Sequence, residues 1–237
     1  VMLMILSACK NDSEKSDKIN IGFSQGLGSH PWRQSMNHAM ESQASLHSEV
    51  QLSISKAEGS VKKQIQDIQK MIDSRVDIII ISPIEPNSLI PLVEKAYEQK
   101  IPVILVDRKI NSLEYNTYIG ADNIEIGKQA AQYILSDSKN LKKIIEIKGD
   151  DNSSPTIERS LGFQQTIKNN SNTELIKTFK GLPAEAFRKT LDSLGNQSLY
   201  VFAFNDELAS QAWQVARNAG VENQIKLLLE NKRPTLL

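Results

Sequence analysis

From Ile19 onward the chain alternates short runs of β-branched apolar residues with longer segments whose apolar positions recur every three or four residues. Strands and helices are therefore expected in turn, the βαβα order of a parallel sheet. Ile19 to Phe23 reads as a first strand, and after a Gly-rich turn a helix is expected from about Trp32 to Leu46. Gln51 to Ser55 alternates as a second strand. Val61, Ile65, Ile68 and Ile72 then share one helical face. Ile78-Ile79-Ile80-Ile81-Ser82 is continuously apolar up to its last residue, as a strand covered on both faces should be. A helix from Ser88 to Gln99 turns Leu89, Leu92, Val93 and Ala96 inward and leads into a second buried run, Ile101 to Val106.

Tyr115 to Ile119 forms a further short strand, and Gly120-Ala121-Asp122-Asn123 supplies a turn and a helix cap, with Asp122 or Asn123 accepting the first free amides. A second series then begins. Strands are expected at Lys143 to Lys148, Glu174 to Phe179 and Leu199 to Phe204, and helices at about Pro155 to Lys168, Ala184 to Leu194 and Glu207 to Ala219. The same α/β architecture thus occurs twice, with no short repeat, which predicts a lobe spanning residues 19–121 and another spanning 122–237.

Composition narrows the classes. With 40% hydrophobic and 24% charged residues, 237 positions can build one large core or two modest ones. Lys and Arg total 28 and so do Asp and Glu, so no net basic field draws in nucleic acid. No run approaches the roughly 20 apolar residues of a membrane span. The single cysteine closes Val1-Met2-Leu3-Met4-Ile5-Leu6-Ser7-Ala8-Cys9, in which Leu6-Ser7-Ala8-Cys9 looks like a bacterial lipobox. Residues 1–18 are accordingly expected to be the remnant of a signal peptide, a lipidation site at Cys9 and a polar tether. An apolar N-terminus that happens to end in cysteine is the alternative.

Candidate chemistry gathers at strand ends, where open α/β sheets hold ligands. Asp107-Arg108 follows the Ile101 to Val106 run. A carboxylate offers only acceptors and a guanidinium only donors, so the two together can bracket the hydroxyls of a small polyol. Taken alone, such a pair can equally be an ion pair closing a strand. Ser82 ends the preceding strand, and Asn205-Asp206 end the one at Tyr200 to Phe204; helix capping is the competing role for both. After the first strand, Trp32 offers an apolar plane for the C–H face of a sugar and Arg33 supplies donors, against core packing of the first helix as the alternative for Trp32. Arg159 falls near the start of a helix, where a positive side chain opposes the helix dipole; a ligand contact would offset that cost, and a solvated surface arginine is the ordinary alternative.

Signals for catalysis are poor. Gly26-Leu27-Gly28 lacks the third glycine of a dinucleotide fingerprint, and no phosphate loop ending in Gly-Lys-Ser/Thr occurs. His30, His38 and His47 lack metal-ligand spacing, and the cysteine lies in the export segment. Neither a metal, a cofactor nor an enzymatic nucleophile is expected.

Taken in order, Ile21-Gly22-Phe23-Ser24-Gln25 with His30-Pro31-Trp32-Arg33, Ile80-Ile81-Ser82-Pro83, Ile101 to Arg108, Tyr118-Ile119-Gly120-Ala121-Asp122-Asn123, Arg159-Ser160-Leu161-Gly162-Phe163 and Phe204-Asn205-Asp206-Glu207-Leu208-Ala209 carry a resemblance. They resemble the ribose-binding-protein-like family of periplasmic sugar-binding proteins, and the Ser-Gln opening and Trp-Arg pair look most like its Bacteroidetes members. The resemblance implies two Rossmann-like, doubly wound lobes joined by a hinge, with a monosaccharide in the cleft between them. By matching position it implies ligand contacts from Trp32, Arg33, Ser82, Asp107 and Arg108 in the first lobe and from Arg159 and Asn205 in the second. It also implies a partner, either a membrane permease for uptake or a sensor kinase of the hybrid two-component type, and a location in the periplasm or cell envelope. Related repressors of the LacI type share these lobes behind a helix-turn-helix.

The resemblance runs from about Ile19 to Lys226. There the family continues a strand into an Asp-containing turn that touches the ligand and then crosses the hinge twice more. This chain has Leu227-Leu228-Leu229-Glu230-Asn231-Lys232-Arg233-Pro234 and ends at Leu237, so the second lobe is expected to be incomplete, by truncation or a shifted frame near Lys226.

Overall fold

A computed structural model of the chain describes residues 18–137, 141–168, 170–195 and 197–228. Cys9, almost all of the expected tether and the segment 229–237 lie outside these residues.

The first sheet has the order β2-β1-β3-β4-β5, all parallel, from β1 (Ile19–Gln25), β2 (Val50–Lys56), β3 (Ile78–Ser82), β4 (Val103–Val106) and β5 (Thr117–Ile119). Helices α1 (Pro31–Ala44), α2 (Val61–Asp73) and α3 (Ile90–Glu98) connect its strands. Alternate residues of the strands face opposite ways: Ile79 and Ile81 of β3 and Val103 and Leu105 of β4 pack with Ile68, Met71 and Ile72 of α2 and Val93 and Ala96 of α3. Gly22 lets β1 approach α2, since a Cβ there would stand 2.8 Å from Met71 Sδ.

The second sheet has the order β7-β6-β8-β9, again parallel, from β6 (Lys142–Lys148), β7 (Thr173–Lys180), β8 (Leu199–Ala203) and β9 (Ile225–Leu228). Its helices are α4 (Asn123–Asp137), α5 (Ser154–Ile167), α6 (Ala184–Leu194) and α7 (Asp206–Asn218). Phe163 of α5, Phe202 of β8 and Phe204 are fully buried at its centre, with ring centroids 4.7 Å and 4.9 Å apart. The chain is therefore α/β with two parallel sheets, as the pattern predicts, and both are doubly wound, as the resemblance implies. Periodicity assigns nothing after Ala219, whereas the structure adds a single 3-10 turn, Glu222–Gln224, and the four-residue β9.

Two features set the start of the second lobe. α4 and α5 touch backbone to backbone: a Cβ at Gly127 would stand 2.0 Å from Arg159 O, and one at Gly162 would stand 2.0 Å from Ile124 O. Only glycine permits that approach. Asp122 caps α4, its Oδ1 accepting from Glu125 N at 3.0 Å, which settles the alternative between Asp122 and Asn123 and leaves Asn123 for another task.

Candidate functional site

Each sheet reverses its winding once, between β1 and β3 in the first and between β6 and β8 in the second. Crevices at such switch points, outside the carboxyl ends of the strands, are where this architecture binds ligands. At the first one Gln25 stands in register with Ser82. Gln64, fully buried on α2, fixes that strand end, donating from Nε2 to Ser82 O at 2.9 Å and accepting from Ile84 N at 3.0 Å.

Arg33 is brought to this point by the first turn of α1. His30 caps the helix through Nδ1, which accepts from Trp32 N at 3.3 Å, and Pro31 supplies a helical φ at its first position. Arg33 is 6% exposed; its guanidinium donates from Nη1 to Ser82 Oγ and from Nη2 to Asp107 Oδ2, and its Cζ lies 5.0 Å from the Trp32 ring centroid. Trp32 itself is 52% exposed, so it does not pack in the core as its alternative reading had it. Deeper in, Gln25 Nε2 donates to Asn37 Oδ1 at 3.2 Å, while Gln25 Oε1, Asn37 Nδ2 and Ser24 Oγ are buried without a partner among the described residues.

Asp107 sits immediately after β4 with φ +64, in the left-handed region that a side chain other than Asn or Asp seldom enters. β5 holds it there: Ile119 O accepts from Asp107 N at 2.9 Å, and Tyr118 Oη donates to Asp107 O at 3.0 Å. Gly120 makes room, because a Cβ there would stand 2.1 Å from Tyr118 Oη. Arg108 turns the other way and donates to Ile84 O at 2.7 Å, with Asp150 of the second lobe 3.9 Å off. Burial, reinforced by the Arg33 guanidinium, lowers the Arg108 pKa from its ordinary value against the opposing pull of Asp107 and Asp150.

In the second lobe Arg159 is the sixth residue of α5 and 9% exposed, so it is not the solvated surface arginine of the alternative. Its Nε donates to Asn123 Oδ1 at 2.9 Å and its Nη1 to Phe204 O, the carbonyl just before Asn205. Asn205 caps α7, Oδ1 accepting from Leu208 N at 2.8 Å.

The two sets of residues face each other. His30 Nε2, at the cap of the helix that carries Trp32, lies 3.6 Å from Glu207 Oε2, two residues after Asn205. On the other side, Lys109 donates from its backbone N to Ser154 Oγ at 2.7 Å and from Nζ to Glu158 Oε1 at 2.8 Å. A cavity of about 430 Å³ opens here, between Pro86, Lys109 and Leu113 on one wall and Ser154, Ile157 and Glu158 on the other. None of the seven predicted contacts lines it; it borders them through the neighbours of Arg108 and Arg159. Gln25, Asn37, Gln64, Asn123, Lys109, Tyr118 and Glu158 surround these contacts without a ligand role expected from the sequence, although Gln25, Asn123 and Tyr118 stand in its motifs. Only the polar Ser24-Gln25 step at the end of an apolar strand could have pointed to the first of them.

The fold recurs in known proteins. The galactofuranose-binding protein YtfQ of Escherichia coli K12 is 26% identical over 234 residues, covering 94% of this chain and 73% of that one. Among solved structures, the fructose-binding periplasmic domain of the hybrid two-component system BT1754 is 36% identical with a TM-score of 0.80, covering 89% of this chain and 71% of its own. The periplasmic binding protein of the arabinose ABC transporter from Shewanella sp. ANA-3, bound to L-arabinofuranose, is 28% identical with a TM-score of 0.79, covering 88% and 72%. The periplasmic binding protein domain model matches residues 21–229, nearly the full length of both sheets. By this match and by the doubly wound lobes that carry it, the chain belongs to the periplasmic binding protein domain family.

Proposed function

We propose that this protein binds one monosaccharide between its lobes and delivers that state to a membrane partner. The observation that carries the reading is the Arg33–Ser82–Asp107 cluster at the first switch point, opposed across the lobes by Arg159 and Asn205 at the second. Arg33 and Arg159 are held in place by their own partners, so they present donors with little freedom left to lose on binding. Asp107 supplies acceptors for sugar hydroxyls, Arg108 and Asn205 contribute further polar contacts, Ser82 orients Arg33 from beneath, and exposed Trp32 gives the ring a face to stack on. Closing the lobes around a polyol replaces its water by these fixed groups.

Relatives bind fructose, galactofuranose and L-arabinofuranose, which favours a ketose or furanose-form sugar here. Calorimetric titration with fructose, arabinose, galactose, ribose and myo-inositol is the test. Saturable heat with one of them is expected; no heat with any, from a sample whose circular dichroism shows it folded, overturns sugar binding.

Uptake by an ABC-type permease is the first reading of the partner, with lipidation at Cys9 tethering the protein to the envelope membrane. Sensing is the second, favoured by the 36% identity to a hybrid two-component domain. A kinase encoded in the same reading frame downstream supports sensing, and a separate permease gene supports uptake. Metabolic labelling with a palmitate analogue checks Cys9: label lost in Cys9→Ser supports the anchor, and label unchanged excludes it.

A further inference from the structure

We propose that Lys109 and Glu158 form an interlobe latch that ties closure of the lobes to the state of the cleft. The proposal rests on the cleft-binding reading above. Glu158 belongs to α5 and its carboxylate takes donors from two directions: Lys109 Nζ of the first lobe at 2.8 Å on Oε1, and Asn123 Nδ2 of α4 at 3.5 Å on Oε2. Lys109 is anchored twice more, by its backbone N to Ser154 Oγ at 2.7 Å and by its ammonium 4.9 Å from the Tyr118 ring centroid. One residue of the first lobe therefore grips the first two turns of α5 through both backbone and side chain.

The latch is wired to the site through sequence neighbours. Lys109 follows Arg108, and Glu158 precedes Arg159, whose Nε donates to the same Asn123 that reaches Glu158. A ligand that draws Arg108 and Arg159 together brings Lys109 and Glu158 into pairing range without touching either. Conversely, separating the lobes breaks the pair. With side chains 34% and 19% exposed, the two charges are screened less than a surface pair. Because they meet only when the lobes do, their attraction adds to the closed state alone, and apparent affinity scales with the closed fraction.

The test compares the wild type with Lys109→Met, Glu158→Gln and the charge exchange K109E/E158K, using small-angle X-ray scattering and calorimetry on the same samples, with thermal melts to confirm folding. Each single variant is expected to have a larger radius of gyration than the wild type without sugar. Each is also expected to bind the sugar identified in the panel roughly 5- to 50-fold more weakly, through faster dissociation. The charge exchange recovers most of both losses, which a merely structural role for either residue would not produce. Single variants that scatter and bind as the wild type does overturn the latch, and so does an exchange that recovers neither property. If no sugar binds the wild type, the cleft reading fails, and the scattering comparison still decides the latch on its own.

Discussion

Arg33 and Asp107 stand 74 positions apart, yet the guanidinium of one donates to the carboxylate of the other at the floor of the first lobe's cleft. The pair is largely withdrawn from water, with side chains 8% and 25% exposed. Removing one member leaves the other charged and poorly solvated. Asp107→Ala is expected to abolish sugar binding and to lower stability by about 3 kcal/mol, the low end for breaking a buried pair. Asp107→Asn keeps a side chain that tolerates the left-handed backbone, so it is expected to recover about 1 kcal/mol of that loss, and what remains reports the missing charge. Urea unfolding read beside calorimetry checks both; unchanged affinity in Asp107→Ala removes the residue from the site.

Gly127→Ala and Gly162→Ala each place a methyl 2.0 Å from a backbone oxygen of the facing helix. No rotamer relieves that contact, so α4 and α5 must part. Each variant is expected to lose about 2 kcal/mol, within the range for overpacked cores, and to melt several degrees lower. Equal melting temperatures would mean that the helices separate without cost.

Tyr118 gives the protein an alkaline limit. Burial first, then the Glu158 and Asp107 charges, push its phenol up from the ordinary 10 to about 12. The unfolded chain releases this proton near pH 10 while the folded protein holds it to about pH 12. Stability from this group is thus complete below pH 10 and is lost as pH rises through that window. Tyr118→Phe removes the effect. Urea midpoints at about pH 9 and about pH 11 should converge for the wild type and the phenylalanine variant as pH rises, and parallel midpoints would contradict the assignment.

Much of the architecture is legible because the strands are buried on both faces. Ile78 to Ile81 and Ile101 to Val106 can hardly be anything else, and α2 declares itself through Ile65, Ile68 and Ile72. β9 is legible only through family resemblance, since four residues hold no period of their own. In the site, Asp107 and Arg33 are visible as types at strand and helix ends. That they bind each other is not, because the partner of each lies in another element. Arg159 makes the same point: its place at a helix start marks it, but its partners Asn123 and Phe204 are 36 and 45 positions away, so its burial is not legible locally. Trp32 is the reverse case, an apolar residue that is half exposed beside the Arg33 guanidinium.

The glycine contacts between α4 and α5 have a mechanical meaning for the cleft. Two helices whose backbones touch at Gly127 and Gly162 cannot slide past each other, so Asn123 at the tip of one and Arg159 on the other travel as a single body. Among the described residues the backbone passes from one sheet to the other once, at residues 120–122. A rotation in those three residues would therefore move Arg159 and Glu158 together, as a stiff lever carries a movement at its pivot to its far end.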